Sequence, residues 1–274
     1  MTVAEKAAAF RALHERPGAF VIPNPWDVGT ARVLAGLGFE ALATTSGGLA
    51  YTLGRRDGEG LVTRDETLHD AQAIVEATPL PVSADLQNGF GDEPESVAKT
   101  IREAGSVGLV GGSIEDATTR PDDPIYPLPQ AVERVAAAVE AARSLPFPFV
   151  LTARAENYLF GRRDLEDTIA RLQDYEAAGA DVLYAPGLRA VEDVRAVCAA
   201  VSKPVNVLAV RGGPDLETLA AAGVRRVSVG STFCLAGLGA FLRAAREVRE
   251  RGTFGFLDES ASSRDLEPFM LGRP

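Results

Sequence analysis

REAGSVGLVGG (102–112), EAAGADVLYAP (176–186) and AAAGVRRVSVG (220–230) share one grammar. In each, a helical stretch runs into a small residue and a glycine, and a short apolar run follows almost at once. LAGLGFEALATT (34–45) is a fourth copy. Glycine just past a helix end takes the left-handed conformation that closes the helix. An apolar run too short for a helix and bounded by such signals reads as a strand buried on both faces. Repetition of the unit predicts helices alternating with the strands of a parallel sheet.

Working outward from these copies gives eight strands: Phe20–Ile22, Ala41–Thr45, Val82–Leu86, Gly108–Ile114, Phe149–Ala153, Val182–Ala185, Val205–Leu208 and Arg226–Gly230. Helical periodicity fills the gaps. Val97, Ile101 and Ala104 form one stripe, with Asp92 as its expected N-cap. Val132, Val135, Ala136 and Val139 form a second, and Leu165, Ile169 and Leu172 a third, capped by Asp164. The chain has 274 residues. That length suits a single α/β (β/α)₈ TIM barrel of about 250 residues. A doubly wound open sheet is the rival. No Pro/Ser-rich linker divides the chain, so residues 1–274 read as one domain, with 243–274 as a C-terminal helical extension for subunit contacts.

Hydrophobic residues make up 46% and charged residues 24% of a chain with net charge −10. This is a globular composition, and an acidic one that disfavours nucleic acid as a partner. Two cysteines, Cys198 and Cys234, exclude a disulfide scaffold and a thiolate zinc site. They suit a reducing compartment, and the charged N-terminus carries no apolar signal core, so a cytoplasmic location is expected. The longest uncharged run, Val227–Leu242, has 16 residues. That is short of the roughly 20 a membrane span needs. Its apolar character predicts contact with another copy of the chain.

In a barrel of this kind the residues at the C-terminal strand ends build the site. Here they are Asn24, Trp26 and Asp27, then Ser46, Gly47 and Gly48, then Asp85 and Gln87, Glu115 and Asp116, Arg154 and Glu156, Tyr184, Asn206, and Gly230 with Ser231. Carboxylates in this position without histidine partners suggest a hard cation such as Mg²⁺, which prefers oxygen ligands and keeps several waters. Only two histidines exist, His14 and His69, both in helical contexts. RGGPD (211–215) and GST (230–232) resemble the glycine-rich phosphate sites after strands 7 and 8 of many barrels, but helix starts with turn glycines are the favoured reading. Asp116–Gln130 holds four prolines and is long enough to serve as a lid.

TTSGG (44–48), GRRDGEG (54–60), SADLQNGFGD (83–92), SIEDAT (113–118) and TARAEN (152–157) occur in that order. Together they resemble the isocitrate lyase/phosphoenolpyruvate mutase superfamily, from PNPWDVGTAR (23–32) to VRRVSVG (224–230). The resemblance implies a TIM barrel whose eighth helix packs on a neighbouring subunit, as a homodimer or homotetramer. It implies Mg²⁺, with Mn²⁺ as a substitute, and small 2-oxo acids or dicarboxylates as substrates. Carried over by motif, Asp57, Asp85 and Glu115 surround the metal, with Gln87 beside it. Ser46, Gly47 and Gly48 hold a substrate carboxylate, Arg154 grips that carboxylate or stabilises developing charge, and Asn206 contacts a distal carboxylate.

This sequence departs from the family pattern in places. Gln87 stands where an acid is common, and Thr44 where an aromatic is common. Residues 116–130 contain no Cys, Lys or Asn. The thiol acid of the lyases and the phosphoryl-contacting Asn of the mutases are both missing there. The implied chemistry is therefore Mg²⁺-dependent C–C cleavage through an enolate, of oxaloacetate decarboxylase or hydrolase type. Asp57 and Arg154 are its expected catalytic groups, and Tyr126 or Tyr184 the proton source. A phosphonopyruvate hydrolase or mutase, and a 2-oxo acid binding protein without activity, are the alternatives.

Overall fold

In the computed structural model of the chain, residues 1–270 are described, and eight strands form one parallel sheet. They are β1 (Phe20–Ile22), β2 (Leu42–Ala43), β3 (Val82–Asp85), β4 (Gly111–Glu115), β5 (Val150–Arg154), β6 (Val182–Tyr184), β7 (Val205–Leu208) and β8 (Arg226–Ser228). Their order is β1-β8-β7-β6-β5-β4-β3-β2. The remaining seam, between β1 and β2, is bridged by the Ala43 amide donating to the Pro23 carbonyl at 3.1 Å and by Asn24 Nδ2 donating to the Thr44 carbonyl at 3.0 Å. A sequential order that returns on itself is a (β/α)₈ barrel; the doubly wound rival would reverse its strand order part-way.

The helices are α1 (Val3–Glu15), α2 (Val28–Gly36), α3 (Ser46–Thr52), α4 (Arg64–Ala77), α5 (Pro94–Ser106), α6 (Leu128–Arg143), α7 (Leu165–Ala177), α8 (Val191–Ala200), α9 (Leu216–Ala221), α10 (Thr232–Arg251) and α11 (Ser263–Met270). Asp164 caps α7 as expected, accepting from the Asp167 amide at 3.0 Å. Asp92 does not cap α5. Glu93 holds that position without a side-chain bond and Pro94 opens the helix, while Asp92 turns to Tyr126 and Arg120. β4 begins at Gly111 rather than Gly108, because Gly108 at φ 87° is still part of the close of α5.

Helix α1 seals the N-terminal mouth of the barrel. Phe10 and Leu13 meet Phe20, Val110, Val150 and Val182, which lie at or just before the strand starts. Gly111 makes room, since a Cβ there would lie 2.7 Å from the Phe10 ring.

Beyond β8 the packing changes. Cys234 is the one buried residue of α10, whereas Phe233, Leu235, Leu238, Phe241 and Leu242 face outward, Phe241 at 66% exposure. α11 returns to the barrel and lays Phe269 on Gly36 of α2, where a Cβ would sit 2.4 Å from the ring. Residue 243 falls inside α10, which runs unbroken from Thr232 to Arg251; residues 271–274 lie outside the described residues. No helix among the described residues is long and apolar enough to cross a membrane.

Candidate active site

Register sets the site. β4 and β5 share the longest ladder, from Gly111↔Val150 to Glu115↔Arg154, so Glu115 and Arg154 emerge together at the C-terminal mouth. β3 delivers Asp85 beside them, opposite Ser113. Arg154 is then held by three carboxylates: Glu156 at 2.7 Å, Asp85 at 3.0 Å and Glu115 at 3.1 Å. Burial works against its charge, and these acids overcome that and hold the guanidinium well above its ordinary value. One cation cannot neutralise three anions. Burial, with the excess negative charge, pushes Glu115 and Glu156 upward.

Ser46, Gly47 and Gly48 are the first turn of α3, not an open turn, and Thr45 caps them. The Ser46 amide donates to Asp85 Oδ2 at 3.2 Å. Asp57 folds over this helix start and lines the same cavity wall as Ser46. Gly47 is required at that approach: a Cβ would lie 2.8 Å from Asp57 Oδ2. Burial and then the charge of Asp85 raise the Asp57 carboxyl.

Ser46, Asp57, Asp85 and Arg154 share a cavity of about 200 Å³ at the C-terminal mouth. Drug-sized ligands need about 300–1,000 Å³, so this space suits a small acid. Ser46, Gly47, Asp57, Asp85, Arg154, Tyr184 and Asn206 all line it. The tyrosine ring lies 5.3 Å from the Arg154 guanidinium, and burial pushes its hydroxyl up to about 12.

A family model described as phosphoenolpyruvate phosphomutase matches residues 10–249. The chain belongs to that family. A Burkholderia cenocepacia structure named only as a lyase/mutase is 59% identical to this phosphomutase-family chain, covers 98% of it and 97% of itself, and superposes with a TM-score of 0.95. The oxaloacetate decarboxylase of Chromohalobacter salexigens is 30% identical over 88% of the chain and 84% of its own length. A structure of oxaloacetate acetylhydrolase with its product oxalate is 27% identical, covers 98% of the chain and 95% of itself, with a TM-score of 0.87. The superfamily read from the five sequence strings is thus the right one, and the chain is an enzyme of it.

Several expected site residues of this family member sit elsewhere. Tyr126 is fully buried away from the cavity lining. Its hydroxyl donates to Asp92 Oδ1 at 2.5 Å and accepts from Asn88 at 3.3 Å, and the Arg134 guanidinium covers its ring at 4.2 Å. Burial, then the Asp92 bond, pushes it up to about 12. These bonds fasten the loop and hold the Tyr126 hydroxyl outside the cavity lining. The segment after Glu115 is correspondingly a hairpin rather than a free lid: Ala117 and Ile125 form an antiparallel bridge, and the Thr118 amide donates to Pro124 O at 2.8 Å.

Gln87 sits at φ 50° and lines a neighbouring cleft with Asn88, Phe90 and Arg64, while its amide reaches Asp85 Oδ1 at 3.3 Å. Gly48 lies behind the cavity against Trp26 and Thr45. Glu115 stands behind Arg154 rather than on the wall. Asn24 stays on the cavity wall while clasping strand ends, accepting from the amides of Val229 and Gly230, whereas Asp27 caps α2. Asp116 points away, held by Tyr175, Arg171 and the Glu156 amide. Arg226, at the start of β8, also lines the cavity; an arginine opening a short strand carries no pattern that separates it from a surface residue.

Proposed function

We propose that the protein is a divalent-metal-dependent enzyme that cleaves a C–C bond in a small 2-oxo acid through an enolate, acting on oxaloacetate as a decarboxylase or hydrolase. The observation that carries this is the meeting of Arg154, Asp85, Asp57 and Ser46 in one small cavity at the C-terminal mouth. The likeness to an oxaloacetate decarboxylase and an oxaloacetate acetylhydrolase over most of the chain supports it.

Among the described residues no three His, Cys, Asp or Glu side chains converge into a closed metal cage. Asp57 and Asp85 nevertheless suit Mg²⁺ or Mn²⁺. They are hard oxygen donors whose charges repel one another across the cavity, and such an ion keeps most of its waters. Asp85 and Asp57 would hold it, with Glu115 adjusting the charge from behind. When bound, it supplies Lewis acidity to the oxygen on which enolate charge develops.

The chain's own groups do the rest. The Ser46 hydroxyl and the first turn of α3 receive the substrate carboxylate. Arg154 swings its planar fork from its own carboxylates towards the developing negative charge. Tyr184 keeps its proton well above neutral pH and lies against Arg154, so its hydroxyl is the proton reserve for the enolate carbon. Residues 116–130 hold no cysteine, so the proton is assigned to Tyr184 and not to a thiol in that segment.

The test is incubation of the protein with oxaloacetate and Mg²⁺, followed by carbon NMR. Pyruvate with CO₂, or oxalate with acetate, is the expected outcome. Turnover of phosphonopyruvate in phosphorus NMR with oxaloacetate untouched overturns it, as does ligand binding without any product.

A further inference from the structure

Arg226 is 5% exposed and lines the floor of the cavity, below Arg154 and Tyr184. Its three hydrogen-bond partners are neutral. Nε donates to Asn206 Oδ1 at 2.8 Å, one terminal nitrogen to Thr152 Oγ1 at 2.8 Å, and the other approaches His14 Nε2 at 3.2 Å. His14 cannot serve as a counter-charge. Burial, then the charge of Arg226, drives it down to about 3, and its Nδ1 donates to the Phe10 carbonyl at 2.8 Å, leaving Nε2 as acceptor. Among the described residues no carboxylate pairs with Arg226; its burial, hardly offset by Tyr184, draws it down to about 10, still charged at neutral pH.

A buried guanidinium without an anion is costly. A guanidinium has five N–H donors and three are engaged, so two remain for a ligand. The surrounding floor is prepared for the same kind of guest. Asn206 uses its oxygen on Arg226 and one amide hydrogen on Ser228 Oγ at 3.0 Å, which leaves the other hydrogen to donate. Ser83, Ser113 and Ser228 add hydroxyls to the lining. The cavity is thus polar at both ends: a carboxylate-rich mouth fit for a metal and one substrate carboxylate, and a cationic floor that lacks its anion.

We propose that Arg226, steadied by Asn206, Thr152 and His14, is the specificity residue that receives a second, distal carboxylate, so that the enzyme selects dicarboxylic over monocarboxylic 2-oxo and 2-hydroxy acids. This rests on the reading of the cavity as the active site, though not on which bond is cleaved there.

Malate and lactate differ by one distal carboxylate and lack the reactive oxo group, which makes them suitable probes. Calorimetry with Mg²⁺ is expected to show malate binding about 10- to 100-fold more tightly than lactate, the range for a charge-assisted bond. Arg226→Met is expected to bring malate to the level of lactate while leaving lactate unchanged, and Arg226→Lys to recover part of the preference. Removing a buried arginine can unfold the barrel, so a crystal structure of the wild-type protein with malate is the second measurement. The distal carboxylate is expected within hydrogen-bond distance of Arg226, and contact with Asn206 alone overturns the proposal. Equal wild-type binding of malate and lactate overturns the proposal, as does a distal carboxylate that turns away from the floor. A malate preference in a protein that leaves oxaloacetate intact would defeat the proposed reaction and keep this inference; oxaloacetate turnover without the preference would do the reverse.

Discussion

Glu115 and Arg154 stand opposite each other at the last register position shared by β4 and β5, and their side chains close a 3.1 Å ion pair across it. Asp85 and Glu156 take the other edges of the same guanidinium. The arrangement depends on planarity, since an ammonium offers no fork to three carboxylates at once. Arg154→Lys is therefore expected to retain the fold, by circular dichroism, and to lose about 10²–10³-fold in kcat, the usual range for one lost transition-state donor. Near-normal turnover would make Arg154 a structural clamp.

The same crowding predicts a pH profile. Burial, followed by neighbouring charge, raises Glu115 and Glu156, so these acids ionise later than ordinary carboxylates. Activity that needs them ionised rises as pH climbs through the raised value. Glu156→Gln removes one like charge and is expected to shift the acid limb of kcat/KM to lower pH. An acid limb in the ordinary carboxylate range in both proteins would contradict this.

Metal dependence follows from Asp57 and Asp85. Chelation is expected to abolish turnover, and Mg²⁺ or Mn²⁺ to restore it. Asp85→Asn is expected to weaken metal binding by at least an order of magnitude, because it removes a charge from the ligand set. Gln87→Asp, in the adjoining cleft, is expected to change it far less. Calorimetric titration of the metal ranks the two, and the opposite order would return Gln87 to the metal's surroundings.

Asp70 on α4 offers a test of stability that leaves the chemistry aside. Burial, then the charge of Asp27, raises it from 3.8 to about 6. The folded state thus holds this proton more tightly than the unfolded chain does. Its stability falls as pH rises from about 4 to 6 and carries a constant penalty above. Asp70→Asn is expected to gain about 1 kcal/mol at pH 7.5, discounted for partial exposure, and nothing at pH 3.5. Thermal melts at the two pH values decide it.

The outward face of α10 predicts association. Leu235, Leu238, Phe241 and Leu242 are all exposed, and apolar surface of that extent is rarely left in water. Light scattering is expected to report a dimer or tetramer, and Phe241→Arg to shift it towards monomer. A wild-type monomer at micromolar concentration would refute the contact.

The barrel was legible because its signals are local. Gly179 and Gly223 close helices at φ 102°, and an apolar strand follows within a few residues. Asp85, Glu115 and Arg154 were legible once the strands were placed, because a parallel barrel sends every strand end to one mouth. Side-chain direction in the loops was not. Tyr126 turns inward because Arg134 and Asp92 wait for it from two other elements, and no spacing within 116–130 encodes them. Gln87 turns aside through a left-handed φ that glutamine seldom adopts. Arg226 depends on an acceptor set drawn from β5, β7 and α1, which exists only after the barrel closes.

That closure has a cost in time for the nascent chain. Helix α1 leaves the ribosome before the strands it seals, and the surface that receives Phe10 and Leu13 includes Val150 and Val182. At about 5–20 residues per second, those partners follow on the order of 10 s later. Until then the helix presents a bare apolar face with nowhere to dock. A helix made before its partners is thus among the last elements to find its place, and the interval before it does is when a holdase would have most to grip.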